Sequence, residues 1–126
     1  REISCIAFRD GAVLGWAKDP ITSRQAYTWL LGEQPWRDDP SDVVCIGAGG
    51  AGLALTVAVL GHESQPRRFV LVDRDPARLA IARDVVALLP VTADVEYHLT
   101  DRVDATDRLV SAARHGSLIV NATGMG

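Results

Sequence analysis

A doubly wound α/β fold around a parallel sheet is what this sequence predicts, and three observations carry that prediction. From residue 43 onward, short apolar runs alternate with helical segments: strand 43–47, helix 50–61, strand 69–73, helix 75–88, strand 94–98, helix 104–114 and strand 118–121. Such alternation reads as successive βαβ units, whose strands pair in parallel and carry helices on both faces. The first strand, Val43-Val44-Cys45-Ile46, runs straight into Gly47-Ala48-Gly49-Gly50-Ala51-Gly52, a G-x-G-x-x-G turn at the head of a helix. The second, Phe69-Val70-Leu71-Val72, ends in Asp73, 21 positions after Gly52. Turn and acid together are the fingerprint of a Rossmann-like, three-layer αβα sheet that binds a dinucleotide.

Each element has its own local reason. Ile3–Phe8 and Ala12–Trp16 are short strand-like runs, and Arg9-Asp10-Gly11 between them signals a hairpin. Ile21–Leu31 carries apolar residues at helical spacing and stops near Gly32, while the proline- and acid-rich segment 33–41 reads as a surface loop. In the helix after Asp73, Pro76 falls in the first turn, where its missing N–H costs nothing, and Asp75 is the expected N-cap. Pro90 and Gly116 punctuate the ends of the second and third helices. Val43–Ile46 and Phe69–Val72 are continuously apolar, as strands covered on both faces must be. Only four such strands are present, against about six in a complete dinucleotide fold, so the sheet reads as incomplete and the chain as an excised piece.

Composition limits the partners. A formal charge of −3, with basic residues scattered along the chain, gives no reason to expect nucleic acid or an anionic membrane surface. No apolar run approaches the roughly 18 residues of a membrane span, and a cytoplasmic protein is the expectation. Cys5 and Cys45 lie in apolar runs and read as buried free thiols of a reducing compartment. His62 and His115 read as helix-terminal residues suited to the dipole, and His98 as the end of a strand near the adenine side. No spacing among His, Cys and acids makes a metal site. Trp16, Trp29 and Trp36 read as packing residues, and Lys18 as a solvated lysine.

The candidate site follows from the fold. Gly47 permits a tight turn, Gly49 lets the backbone approach a pyrophosphate, and Gly52 lets the helix close on the strand. Asp73 is placed to accept the adenosine ribose hydroxyls and to repel a 2′-phosphate. Asp75 adds a second acid, against which Arg74 and Arg78 could supply cations, so NAD is the expected cofactor and NADP the runner-up. Asn121, Ala122 and Thr123 leave the last strand where a nicotinamide should lie.

Three segments in chain order, Phe8-Arg9-Asp10-Gly11 through Ala17-Lys18-Asp19-Pro20, GAGGAG at 47–52 and N-A-T-x-x-G at 121–126, resemble the shikimate/quinate dehydrogenase family. The resemblance implies that residues 1–41 are a hairpin and linking helix between two domains, and that 42–126 is a truncated NAD(P)-binding domain. It also implies that Gly47–Gly52 holds the pyrophosphate and that Asn121–Thr123 lines the nicotinamide side. Asp19 falls on the family's aspartate, which pairs with a catalytic lysine and binds a substrate hydroxyl. That lysine lies in an N-terminal domain outside this chain. The implied reaction is reversible hydride transfer at a ring carbon bearing a hydroxyl of a small hydroxy acid, in aromatic amino acid biosynthesis or quinate metabolism, with a homodimer as the candidate assembly. Two departures stand out. The family's N-T-D-G is here Ala17-Lys18-Asp19-Pro20, and its N-R-T-x-x-R is Asp73-Arg74-Asp75 through Arg78, a change toward NAD. Two alternatives remain. An S-adenosylmethionine-dependent methyltransferase shares the glycine turn and the acid, although it usually carries an acid where Cys45 stands. A non-catalytic nucleotide-binding module would account for the altered N-T-D-G element.

Overall fold

The computed structural model describes Ile3 and residues 5–124. Met125 and Gly126 of the N-A-T-x-x-G tail, and Ser4 of the first strand-like run, lie outside the described residues. The chain opens with an antiparallel hairpin, β1 (Cys5–Arg9) and β2 (Ala12–Trp16), with Arg9 paired to Ala12. Asp10 and Gly11 alone make the turn, at φ 50° and 77°, the left-handed pair that matches the twist of the flanking strands. Helix α1 (Asp19–Leu31) starts two residues earlier than the sequence suggested. Pro20 lies in its first turn rather than ahead of it, a position where proline's fixed φ suits a helix. Lys18, at the N-cap, is itself helical at φ −88° and ψ −17°.

The remaining elements are β3 (Asp42–Ile46), α2 (Gly50–Leu60), β4 (Arg68–Asp73), α3 (Pro76–Val86), β5 (Asp94–Leu99), α4 (Val103–Ser111) and β6 (Leu118–Asn121). The four strands form one parallel sheet in the order β5-β4-β3-β6. Two helices end early, each for a visible reason. α3 tightens into i→i+3 bonds at Leu88 and Leu89 ahead of Pro90. α4 stops at Ser111 because the Arg114 N–H is drawn to the Asp42 carboxylate at 3.1 Å, which leaves His115 in an exposed turn and not on a helix.

Both faces of the sheet are covered, which accounts for the apolar runs. Val43 and Cys45 of β3, with Phe69 and Leu71 of β4, pack with Leu55, Val59 and Leu60 of α2 and with Leu79 and Ala82 of α3. Val44, Val70 and Val72 point the other way, toward Leu109 and Val110 of α4. α1 adds an outer layer on α2, where Tyr27 donates to the Ala58 carbonyl at 3.1 Å and packs on Trp36 with ring centres 5.5 Å apart. Trp36 is the packing residue expected, but Trp29 is 88% exposed and Trp16 45% exposed. Two residues along a helix is about 200° of rotation, so burying Tyr27 turns Trp29 outward. Cys45 is buried and Cys5 only half-buried; both are free thiols. His62 is buried beyond α2, and its Nε2 lies 2.7 Å from Arg24 Nη2. An arginine can only donate, so this ring nitrogen is the acceptor. Among the described residues no helix is long and apolar enough to cross a membrane.

Asp42, fully buried at the N-terminal end of β3, ties that end together. Its carboxylate accepts from Arg67 Nη2 at 2.8 Å, Arg68 Nη2 at 3.2 Å and the Arg114 N–H, while its own N–H donates to Ser117 Oγ at 2.9 Å.

Candidate dinucleotide site

β3 is the strand at which the order reverses: the chain passes from it to β4 and β5 on one side and returns to β6 on the other. A crevice at the carboxyl ends of the strands is expected there, where loops from neighbouring strands diverge. The chain leaves β3 tied on both sides, since the Gly47 N–H donates to Val72 O and the Ala122 N–H donates to Ile46 O, each at 2.7 Å.

The three motif glycines are required for different reasons. Gly47 stands at φ 104°, and a Cβ there would meet Ala122 O at 2.8 Å. At Gly52 a Cβ would collide with the Gly47 carbonyl, so only glycine lets α2 close on the end of β3. Gly49, in extended backbone at φ −71°, has no protein reason to be glycine: a Cβ would meet nothing nearer than Arg78 Nη1 at 3.7 Å. The space that its missing side chain leaves is open to a ligand. Gly50 and Ala51 begin α2, which no side chain caps, so its first-turn N–H groups are left for a ligand or water.

Asp73 ends β4 beside this turn, almost wholly buried. Oδ2 accepts the Ala48 N–H at 2.6 Å and Oδ1 accepts the Asp75 N–H at 2.8 Å. Burial pushes its carboxyl up, but the N–H groups of Ala48, Asp75 and Arg74 and the Arg78 guanidinium outweigh that, and its pKa lies below the ordinary aspartate value. The carboxylate is therefore ionised and fixed, with a second lone pair on each oxygen still able to accept a hydroxyl. Beneath the turn, burial and then the Asp73 charge push the Cys45 thiol up to about 12, and its Sγ donates to Gly47 O at 3.5 Å. Cys45 is thus packing and not a nucleophile.

A cavity of about 360 Å³ opens at this edge. It brings together Gly47, Asp73, Arg74, Arg78, Asn121, Ala122 and Thr123 of the expected residues. Asn121 Oδ1 accepts from the Thr123 N–H at 3.1 Å and from its hydroxyl at 2.7 Å, which shapes the exit from β6. Ala48, Gly49, Gly50, Ala51 and Gly52 form the adjoining turn rather than the cavity wall, and exposed Asp19 on α1 is not part of that wall. The sequence reading missed the far wall: Thr100, Asp101 and Arg102 of the β5–α4 loop, and Val103, Thr106 and Asp107 of α4. The signal that could have found them is their place at the carboxyl end of the strand beside Asp73. His98, expected near the adenine side, lies 2.9 Å from Glu96 through Nε2 and is not among the residues that line the cavity. Among the described residues no group of three or more His, Cys, Asp or Glu could hold a metal ion.

Open backbone at Gly49, uncapped N–H groups on α2, a fixed carboxylate and a cavity of this size fit the diphosphate and adenosine halves of a dinucleotide. No protein-family model and no curated protein matches the sequence. Solved structures do match. Quinate dehydrogenase from Corynebacterium glutamicum in complex with NAD superposes with a TM-score of 0.66 at 22% identity, over 96% of this chain and 39% of that one. A shikimate dehydrogenase in complex with NADP+ gives 0.63 at 21% identity, over 96% and 37%. Ligand-free 5-ketofructose reductase of Gluconobacter sp. strain CHM43 gives 0.60 at 21% identity, over 98% and 40%. The chain therefore spans about two fifths of the length of these structures, and it shares the Rossmann-like fold of shikimate and quinate dehydrogenases and a related reductase.

Proposed function

We propose that this chain is the nicotinamide-dinucleotide-binding part of a cytoplasmic oxidoreductase of the shikimate/quinate dehydrogenase type. The observation that carries the reading is the 2.6 Å hydrogen bond from the Ala48 N–H to Asp73, which joins the ribose acid to the glycine turn at the switch point of the sheet. When bound, NAD supplies the hydride chemistry at a substrate carbon bearing a hydroxyl. The chain's own groups bind and orient. N–H groups of Gly49, Gly50 and Ala51 face the diphosphate, Asp73 takes the adenosine ribose, and Asn121–Thr123 borders the nicotinamide half.

Residues 1–41 act as the hairpin and helix leading from the substrate side, and residues 42–126 as the cofactor-binding unit. Asp19 is the member of the acid–base pair that this chain carries. Its lysine partner is expected on another part of the protein, and the substrate is a small ring hydroxy acid. Residues 1–126 alone are therefore expected to show no dehydrogenase activity. Asp73, ionised and almost wholly buried, favours NAD over NADP, whose 2′-phosphate would approach that charge.

Titrating the intact protein with NAD, NADP and S-adenosylmethionine tests the reading. Binding of NAD, weakened at least tenfold by Asp73→Ala, is the expected result. Binding of S-adenosylmethionine with neither dinucleotide would replace the dehydrogenase reading by the methyltransferase one.

A further inference from the structure

The far wall of the cavity is built by the β5–α4 loop and the first turns of α4, from Thr100 to Asp107. β5 lies on the other side of β4 from β3 and β6. A dinucleotide held by its ribose at Asp73, with its nicotinamide half running toward Asn121–Thr123, therefore directs its adenine to the β5 side. Arg102 stands on that wall with its guanidinium fixed. Nε donates to Asp104 Oδ1 and Nη2 to Asp104 Oδ2, both at 3.0 Å, and Arg108 Nη2 donates to the same Oδ2 at 3.0 Å from one turn further along α4. Arg78, also on the cavity wall, stands 3.6 Å from Asp75 and 4.0 Å from Asp73. Two parallel bonds to one carboxylate fix the plane of a guanidinium as looser ion pairs do not. Those bonds lie in the plane, so its faces are left for a flat ring. The Arg102 side chain is 72% exposed, and Val103 beside it on the same wall is 75% exposed. A planar cation next to an apolar side chain suits the face of a purine. It suits a phosphate less well, because Asp101 and Asp107 share that wall and would repel one.

We infer that Arg102, with Val103 beside it, is a stacking platform for the adenine ring, and that Asp104 is the positioning residue that holds its plane. The inference rests on the dinucleotide reading of this site and deepens it. Dissociation constants for NAD are measured by calorimetry on the intact protein as wild type, Arg102→Ala, Arg102→Lys and Asp104→Asn. Stacking needs the planar group, so alanine and lysine should both weaken NAD about fivefold. Asp104→Asn keeps the cation but can accept only one of the two bonds, and it should weaken NAD about twofold. A second readout isolates the base. The Arg102 Nε–H resonance, followed by NMR, should move by ring current when AMP is added and stay in place when ribose 5-phosphate is added. A lysine variant with wild-type affinity would overturn the inference, leaving Arg102 as a counter-charge to the diphosphate. So would equal shifts of the resonance with AMP and ribose 5-phosphate, or an Arg102→Ala protein that binds NAD like wild type. An unchanged Asp104→Asn would overturn the positioning role alone. If the wild type bound neither NAD nor AMP, the dinucleotide reading itself would fall; with NAD bound and Arg102 indifferent, only the platform would.

Discussion

Gly49→Ala separates a turn that is glycine-rich for folding from one that is glycine-rich for a ligand. The new methyl would stand in ordinary contact with Arg78 Nη1, 3.7 Å away, and with no other side chain or distant backbone of the described residues. Gly49 already has a φ of −71° that alanine can adopt, so the substitution reduces unfolded-chain entropy and stabilises by about 0.4–1 kcal/mol. Alanine is a poorer N-cap than glycine by an amount of about the same size. The two effects offset, and the urea unfolding midpoint should correspond to a change within about 0.5 kcal/mol. Binding should behave differently. A methyl on the face where a diphosphate approaches costs at least one charge-assisted backbone hydrogen bond, about 1.5–3 kcal/mol, or roughly tenfold to a hundredfold in NAD affinity by calorimetry. Gly52→Ala is the control, because its Cβ would collide with the Gly47 carbonyl and force α2 off β3. That overpacking should lower stability by about 2 kcal/mol or more whether or not ligand is present. A stable Gly49→Ala protein that binds NAD like wild type would refute the assignment of the turn as a cradle.

Two further outcomes follow from the opposite end of the sheet and from the ribose acid. Asp42→Ala removes the fully buried partner of Arg68, which is itself mostly buried, and of the half-exposed Arg67, so after discounting the latter a loss of about 3 kcal/mol is expected. Thermal melts read this as a fall on the order of 10 °C, and a fall of only a degree or two would mean the cluster adds little. NAD affinity should not change in that variant, since about 13 Å of strand separates Asp42 from the turn. Asp73 has a native pKa below its unfolded value, so its stabilisation is complete above the unfolded value and disappears as pH falls through the native one. The excess of wild type over Asp73→Asn in urea midpoint should therefore be flat above about pH 5 and shrink below about pH 4. A difference that stays constant through that range would show that the charge is not what the Ala48 and Asp75 N–H groups hold.

The sheet could be read from the sequence because its signals are local. Val43–Ile46 and Phe69–Val72 are apolar on both faces, Asp10-Gly11 can serve a two-residue turn, and Asp75-Pro76 is both cap and first turn. What was not legible depended on distant partners. The early end of α4 is set by Asp42, 72 positions back, which captures the Arg114 N–H. Trp29 lies outward because Tyr27, not Trp29, meets the Ala58 carbonyl, and helical spacing alone cannot say which stripe of α1 is covered. The glycine turn and Asp73 were visible as a motif, but the wall formed by Val103, Thr106 and Asp107 was not, because it forms only when β5 pairs beside β4 and α4 packs back on the sheet.

The thiol beneath the turn makes this sheet its own clock. Cys45 lies at the middle of the sheet with no exposed surface and a thiol held near 12, so an alkylating reagent can reach it only when β3 separates from its neighbours. Half-buried Cys5 in the hairpin has no such barrier and marks the reagent's intrinsic pace. The ratio of the two labelling rates measures how often the centre of the sheet opens. A ligand seated on the Gly47–Gly52 turn directly above should slow that opening in proportion to its occupancy.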